Sequence, residues 1–219
     1  VAEKEEKEEN ETPKAVAESQ EAAPKIPKAV TFLGDSNTKA MTDGRFEKFA
    51  THEIAEGSQT IDWGLLQMGI DPEAGTLKDE VSETVKKNRQ TCLNSEMINI
   101  AFGTNDTAKG DSAEDTYGKM QKLVKGLKEL NPQLKIALCT VPPLELSEDL
   151  ETNRNALNKK ILEGAGTEYY AIDLSKKLQD PKDPTRLASD VRGDKAHYSK
   201  DTAATYLERE LIEIYNQSA

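Results

Sequence analysis

The sequence predicts an α/β domain whose core is a five-stranded parallel sheet covered by helices on both faces. Three observations lead there. Short apolar runs rich in β-forming residues recur five times between residues 29 and 174. Segments with apolar residues at helical spacing separate them. Strands that alternate with helices join as parallel neighbours through right-handed crossovers.

The elements follow in order. AVTFLGDS is an apolar run that stops at Gly34-Asp35-Ser36, and a helical stretch follows it. THEIAEG is the second strand candidate. After Gly57, the residues Ile61, Leu65 and Met68 recur at helical spacing, and a further helix is expected to carry Leu77, Val81 and Val85. MINIAFG is the third strand, ending in Gly103-Thr104-Asn105-Asp106. Ser112 and Asp115 form a capping pair for a helix with Tyr117, Met120, Val124 and Leu127 on one face, which Asn131-Pro132 ends. LKIALCTV is the fourth strand and stops at Pro142-Pro143. A helix through Leu157 and Ile161 leads to YYAIDL, the fifth strand. Ser199 is placed to cap the last helix, whose apolar face is Ala203, Tyr206, Leu207, Leu211 and Ile214.

Residues 1–28 read differently. They contain no Leu and no aromatic residue, three prolines, and 8 acids against 5 bases. Such a stretch buries too little apolar surface to offset chain entropy. It also lacks the apolar heptads of a coiled coil. A flexible acidic linker over 1–28 is expected, followed by the domain over 29–219. A chain that opens on Val1 and such a linker is expected to be tethered to an upstream domain.

Composition narrows the function. The 219 residues include 40 acids and 29 bases, a net charge of -11. That charge disfavours nucleic acid, whose phosphates are bound by Lys and Arg, and anionic membrane surfaces. No apolar run approaches the roughly 18 residues that span a bilayer, so direct membrane insertion is not expected. His52 and His197 are the only histidines, and two cysteines cannot build a four-thiolate zinc site. Cys92 precedes the third strand and Cys139 lies late in the fourth, at opposite ends of neighbouring strands. A disulfide needs Cα atoms within about 7 Å, so two free thiols are expected. Unpaired cysteines fit the cytosol, whereas a linker fits a tethered surface protein.

In open parallel sheets the site lies beyond the carboxyl ends of the strands. Those ends carry Gly34-Asp35-Ser36-Asn37-Thr38, Gly57-Ser58-Gln59-Thr60 and Gly103-Thr104-Asn105-Asp106. Asp194-Lys195-Ala196-His197 lies just before the last helix. Acyl transfer by a serine nucleophile needs this inventory. Ser36 sits at a strand end where a helix begins. A serine hydroxyl is a weak nucleophile and needs a base, and His197 is the histidine in position. Asp194 can accept from the other ring nitrogen and fix the tautomer. The backbone amides of Ser36 and Gly57, with the Asn105 side chain, could form an oxyanion hole.

Each residue also has an ordinary structural role. A serine at a helix start is most often an N-cap. Asn105 and Asp106 suit a turn, and a loop carboxylate such as Asp194 needs no special function. Asp35 and Asp106 read as partners of backbone amides, Asp173 at the end of the fifth strand as structural, and His52 as packing or solvent-facing. The ordered combination at successive strand ends outweighs these separate readings.

That combination resembles the SGNH hydrolases, also called the GDSL esterase/lipase family, across residues 29–219. GDSNT maps the first block onto Gly34, Asp35 and Ser36. GTND maps the third onto Gly103, Asn105 and Asp106. DxxH maps the last onto Asp194 and His197. The second-block glycine is Gly57, after a strand and before a helix, with Gly64 as the fallback. The chain departs from the family with Asn37 where lipase-like members have Leu, and with Tyr198 after the histidine. The resemblance implies a three-layer α/β/α flavodoxin-like fold and ester hydrolysis without metal or cofactor. It implies the triad Ser36, His197 and Asp194 acting on short acyl esters such as O-acetyl groups of a small molecule or carbohydrate. Two alternatives use the same fold: an O-acetyltransferase that modifies a polysaccharide, and a non-catalytic binding module. The substrate surface is expected from the loops at 37–48, 107–112, 142–150 and 180–196.

Overall fold

The structure, a computed structural model, describes residues 22–194 and 197–217. The chain runs β1 (Ala29–Gly34), α1 (Ser36–Thr42), β2 (Ala50–Ala55), α2 (Ile61–Met68), α3 (Glu83–Leu93), β3 (Met97–Ala101), α4 (Thr104–Ala108), α5 (Ala113–Leu130) and β4 (Lys135–Cys139). It continues with α6 (Glu148–Glu163), β5 (Tyr170–Ile172), α7 (Leu174–Leu178), β6 (Gln179–Asp180), β7 (Asp183–Leu187) and α8 (Lys200–Gln217). The five long-range strands form one parallel sheet in the order β2-β1-β3-β4-β5. The expected three-layer α/β/α architecture is what the chain adopts.

Strand periodicity divides the core. Leu33, Ile98, Ile100, Ile136 and Leu138 point to one face, where α2, α3, α5 and α6 pack. Val30, Phe32, Met97, Ala137 and Cys139 point to the other, against α1, α7 and α8. The α5 stripe Met120, Leu123, Val124 and Leu127 is buried. Each such side chain contributes about 1.5–3 kcal/mol by leaving water. Ser112 caps α5 by accepting from the Asp115 amide at 3.1 Å.

Two sequence expectations change. The helix through Leu77, Val81 and Val85 begins only at Glu83. Ser82 caps it, accepting from the Val85 amide, and Leu77 instead pairs with Ile70 in an isolated antiparallel bridge. Turn chemistry outweighs the apolar spacing there: Asp71 accepts from the amides of Glu73 and Ala74 at 2.9 Å. The expected loop over 180–196 is partly regular: Asp183–Leu187 is β7, which pairs antiparallel with β6, and the short helix α7 precedes them. Too few residues separate these pieces for periodicity to register. Gly103-Thr104-Asn105-Asp106 opens a short helix, α4, so the turn that Asn105 and Asp106 would suit as ordinary structural residues is not formed.

Most of the 1–28 segment, residues 1–21, lies outside the described residues. Nearer the domain, the Lys25 amide donates to Asn216 Oδ1 at 2.9 Å, and Asn216 Nδ2 donates to the Lys25 carbonyl at 2.8 Å. The cysteines are free and buried. Cys139 donates to Asn99 Oδ1 at 3.2 Å. Among the described residues no helix is long and apolar enough to cross a membrane, and no group of His, Cys, Asp and Glu is arranged to hold a metal ion.

Candidate active site

The sheet order places the first candidate residue. β1 pairs with β2 on one side and β3 on the other, so three strand ends lie side by side. Ser36 follows β1, Gly57 follows β2, and Asn105 follows β3. At the end of β1 the chain turns tightly into α1. A Cβ on Gly34 would stand 2.1 Å from Thr38 Oγ1 and 2.8 Å from the Ala101 carbonyl oxygen, so only glycine fits there. Asp35 caps α1 by accepting from the Asn37 amide at 3.0 Å. Its carboxyl is pushed up to about 6 by burial, against the opposing pull of that amide and of Lys200.

His197 reaches Ser36 from across the molecule. Antiparallel backbone pairing on either side of it fixes its place. Arg192 pairs with Tyr198 in an isolated bridge. The Gly193 amide donates to the His197 carbonyl, and the Ser199 amide to the Val191 carbonyl. His197 Nε2 then lies 3.0 Å from Ser36 Oγ. Its Nδ1 lies 2.8 Å from both Asp194 oxygens, and Asp194 also accepts from the His197 amide at 2.8 Å. A carboxylate only accepts, so Nδ1 carries the proton and the Nε2 lone pair faces the hydroxyl. The Asp194 side chain is 68% exposed and that of His197 45%. The dyad therefore sits at the rim of an open site, not in a sealed pocket.

The remaining strand-end residues have defined partners. Asn105 Nδ2 donates to the Gln59 carbonyl at 2.9 Å, tying α4 to the turn after β2. Asp106 accepts from the Ile61 amide at 3.2 Å and 3.3 Å. Burial pushes its carboxyl up to about 6. A Cβ on Gly57 would lie 4.0 Å from Ser36 Cβ, so that turn borders the serine. The Gly57 amide itself donates to Glu56 Oε1 at 3.1 Å. Gly64 is different: it is buried in α2 where a Cβ would stand 2.7 Å from the Phe102 ring, a packing position. Asp173 caps α7 and accepts from Thr140 Oγ1 at 2.9 Å. His52 is exposed on the edge strand β2.

Two features of the site have no signal in the periodicity. Ser58 holds a left-handed backbone, φ 61°, in the turn beside Ser36. Serine rarely adopts that conformation, which bends the chain sharply after β2. Lys200, the first residue of α8, lies between the His197 turn and α1 and donates to Asn37 Oδ1.

No family model and no curated sequence matches the chain. Solved structures do. A GDSL-like lipase from Bacteroides thetaiotaomicron superposes with a TM-score of 0.65 at 18% identity, covering 85% of this chain and 88% of the other. A carbohydrate esterase of family 3 from Talaromyces cellulolyticus gives 0.59 at 14% identity, over 88% of this chain and 100% of the other. A lipase/acylhydrolase from Enterococcus faecalis gives 0.57 at 17% identity, over 85% of this chain and 96% of the other. At these identities the likeness establishes the fold.

Proposed function

We propose that this chain, which has the fold of the SGNH (GDSL) hydrolases, is a serine esterase that removes short acyl groups, foremost O-acetyl groups, from small-molecule or carbohydrate alcohols. The observation that carries the reading is the relay of Ser36 Oγ, His197 Nε2, His197 Nδ1 and the Asp194 carboxylate, with contacts of 3.0 and 2.8 Å. Solved neighbours include an acetyl esterase and a carbohydrate esterase, which supports this substrate class.

In the reaction, Ser36 Oγ attacks the ester carbonyl while His197 Nε2 takes its proton. The bond between carbonyl carbon and alcohol oxygen then breaks. His197 returns the proton to the leaving alcohol, and the acyl group stays on Ser36. A water molecule, deprotonated by the same nitrogen, attacks the acyl-enzyme and releases the carboxylic acid. Asp194 holds the ring and stabilises the imidazolium in both halves. The negative charge on the tetrahedral oxygen is met by the Ser36 amide and the Asn105 side-chain amide. Asn105 has two N–H donors, and its bond to the Gln59 carbonyl uses one of them. The Gly57 amide joins them once it leaves the Glu56 carboxylate. Each such donor contributes about 3 kcal/mol in the transition state.

The segments that border Ser36 carry polar groups: the Lys39–Glu56 ion pair joins α1 to the turn after β2, and the Arg192–Glu145 ion pair bridges the loop after β4 to the segment before His197. That surface favours a hydrophilic alcohol and a short acyl chain. The test is hydrolysis of p-nitrophenyl acetate and butyrate by wild type and Ser36→Ala. Acetate turnover lost in the variant is expected. Equal turnover by both proteins would overturn the serine mechanism. Faster turnover of butyrate would overturn the acetyl preference.

A further inference from the structure

Lys200 breaks a local rule. It opens α8, and a cation in the first turn of a helix faces the positive end of the helix dipole. Natural sequences break such rules where a compensating contact exists. Here the compensation lies at the active site. Lys200 Nζ donates to Asn37 Oδ1, on the residue that follows Ser36. The same ammonium sits 3.9 Å from the centroid of the Tyr198 ring, on the residue that follows His197. Tyr198 is buried, so the stacked cation is partly withdrawn from water, where a cation–π contact is strongest.

One side chain thus touches both neighbours of the Ser36–His197 pair. Of the charged groups described around it, Asp35 faces it from the end of β1 and Asp194 from the His197 turn. Arg45 faces it from the loop after α1. The two carboxylates are the cap of the nucleophile helix and the partner of the histidine. Arg45 is itself engaged by Asp201 at 2.8 Å. The catalytic groups of the His197 turn are exposed at the rim, where a tether to α1 matters most.

We propose that Lys200 is a positioning residue, whose ammonium holds the His197 turn against the helix that begins with Ser36. It fixes the distance across which the proton moves. The proposal rests on the reading of Ser36 and His197 as nucleophile and base. Burial lowers the Lys200 ammonium to about 8, against the pull of Asp35 and Asp194. The clamp therefore weakens within the alkaline range in which esterases are commonly assayed.

The experiment follows kcat and KM for p-nitrophenyl acetate from neutral to alkaline pH. Wild type, Lys200→Arg and Lys200→Met are compared, with Ser36→Ala as the blank and thermal unfolding as a check on folding. Lys200→Met should lose roughly tenfold or more in kcat at neutral pH, as expected when a base drifts from its reacting partner, with KM little changed. The wild-type kcat should fall as pH rises past about 8. Lys200→Arg, charged throughout, should keep its rate there. A Lys200→Met enzyme equal to wild type overturns the proposal, and so does an arginine variant that declines at the same pH as wild type. Wild type no faster than Ser36→Ala defeats the esterase reading instead. The clamp is then judged by NMR, because His52 and His197 are the only histidines. The His197 ring signals should broaden through exchange in Lys200→Met and stay sharp in Lys200→Arg, with His52 unchanged. A sharp His197 signal in Lys200→Met overturns the proposal.

Discussion

His197 Nε2 lies 3.0 Å from Ser36 Oγ although 161 positions separate the two residues. Ser36 is held at the end of β1, an interior strand of the sheet. His197 is held by a surface turn whose Asp194 is largely exposed. The two halves of the site therefore have unequal support, and substitutions in them should differ in effect.

On the proposed mechanism His197→Ala removes the base and should lower kcat for acetate esters by roughly 10⁴-fold or more. Asp194→Ala leaves the ring in place and should cost about ten- to a hundredfold less, because water can solvate its exposed position. Steady-state kinetics on both variants check the order. Equal losses would show that Asp194 acts as an inseparable part of the unit.

Gly193 is packed against the backbone that it helps to aim. A Cβ there would stand 2.6 Å from the His197 carbonyl oxygen, a contact that real side chains do not make. Gly193→Ala should displace the turn and lower kcat by about ten- to a hundredfold, with a small loss of stability. Gly166→Ala is the control, since its Cβ meets nothing within 4 Å. Kinetics and thermal unfolding of the pair would separate displacement of His197 from a general effect.

Among the described residues Arg154 is the largest fully buried side chain. Its guanidinium pairs with Glu151, with Nε–Oε2 at 3.0 Å, and donates to the Val141 carbonyl, Ser175 Oγ and the Pro184 carbonyl. It thereby joins α6 to the end of β4, to α7 and to the β6–β7 hairpin. Arg154→Leu strands the Glu151 charge and several acceptors, and should cost about 3–5 kcal/mol. Urea denaturation measures this. Adding Glu151→Leu should recover part of the loss.

The Asp106 carboxyl titrates near 6 in the folded chain, against 3.8 for an ordinary aspartate, because it is buried. Between those values the folded state binds more protons than the unfolded state. Stability therefore falls as pH rises through this window, at up to roughly 1.4 kcal/mol per unit, and levels off above it. Asp106→Asn keeps an acceptor for the Ile61 amide and cannot ionise. Its stability relative to wild type should grow from about pH 4 to pH 6. Denaturation curves across that range decide the sign. A difference independent of pH would mean that Asp106 does not ionise in that window.

The strand ends are legible in the sequence because each is a local event. AVTFLG and MINIAFG are continuous apolar runs, and glycine ends both. The candidate residues Ser36 and Asn105 stand out because each belongs to a polar cluster that directly follows a buried run, and Asp194 and His197 because they pair an acid with one of only two histidines just before the last helix. The spacing of Leu77, Val81 and Val85 misleads, because three apolar residues at helical spacing also occur in a chain that Asp71, Pro72 and Gly75 bend into turns. Lys200 escapes sequence reading for another reason. Its position in the first turn of the last helix is a weak anomaly in the sequence, but its partners Asn37 and Tyr198 belong to different segments, so SKDTAATYLERE alone does not show what it touches.

The sequence by itself determined the alternation of strands and helices, the two core faces, and the set of Ser, Asn, Asp and His residues proposed for acyl transfer, since all three follow from local hydrophobic period and residue chemistry. Only the tertiary structure decided that β1 lies between β2 and β3, so that their ends converge. It also decided that the turn from Arg192 to Tyr198 aims His197 at Ser36, and that Lys200 bridges the neighbours of both. Those relations depend on which distant surfaces bury one another, and neither the spacing nor the type of residues within a single segment records that.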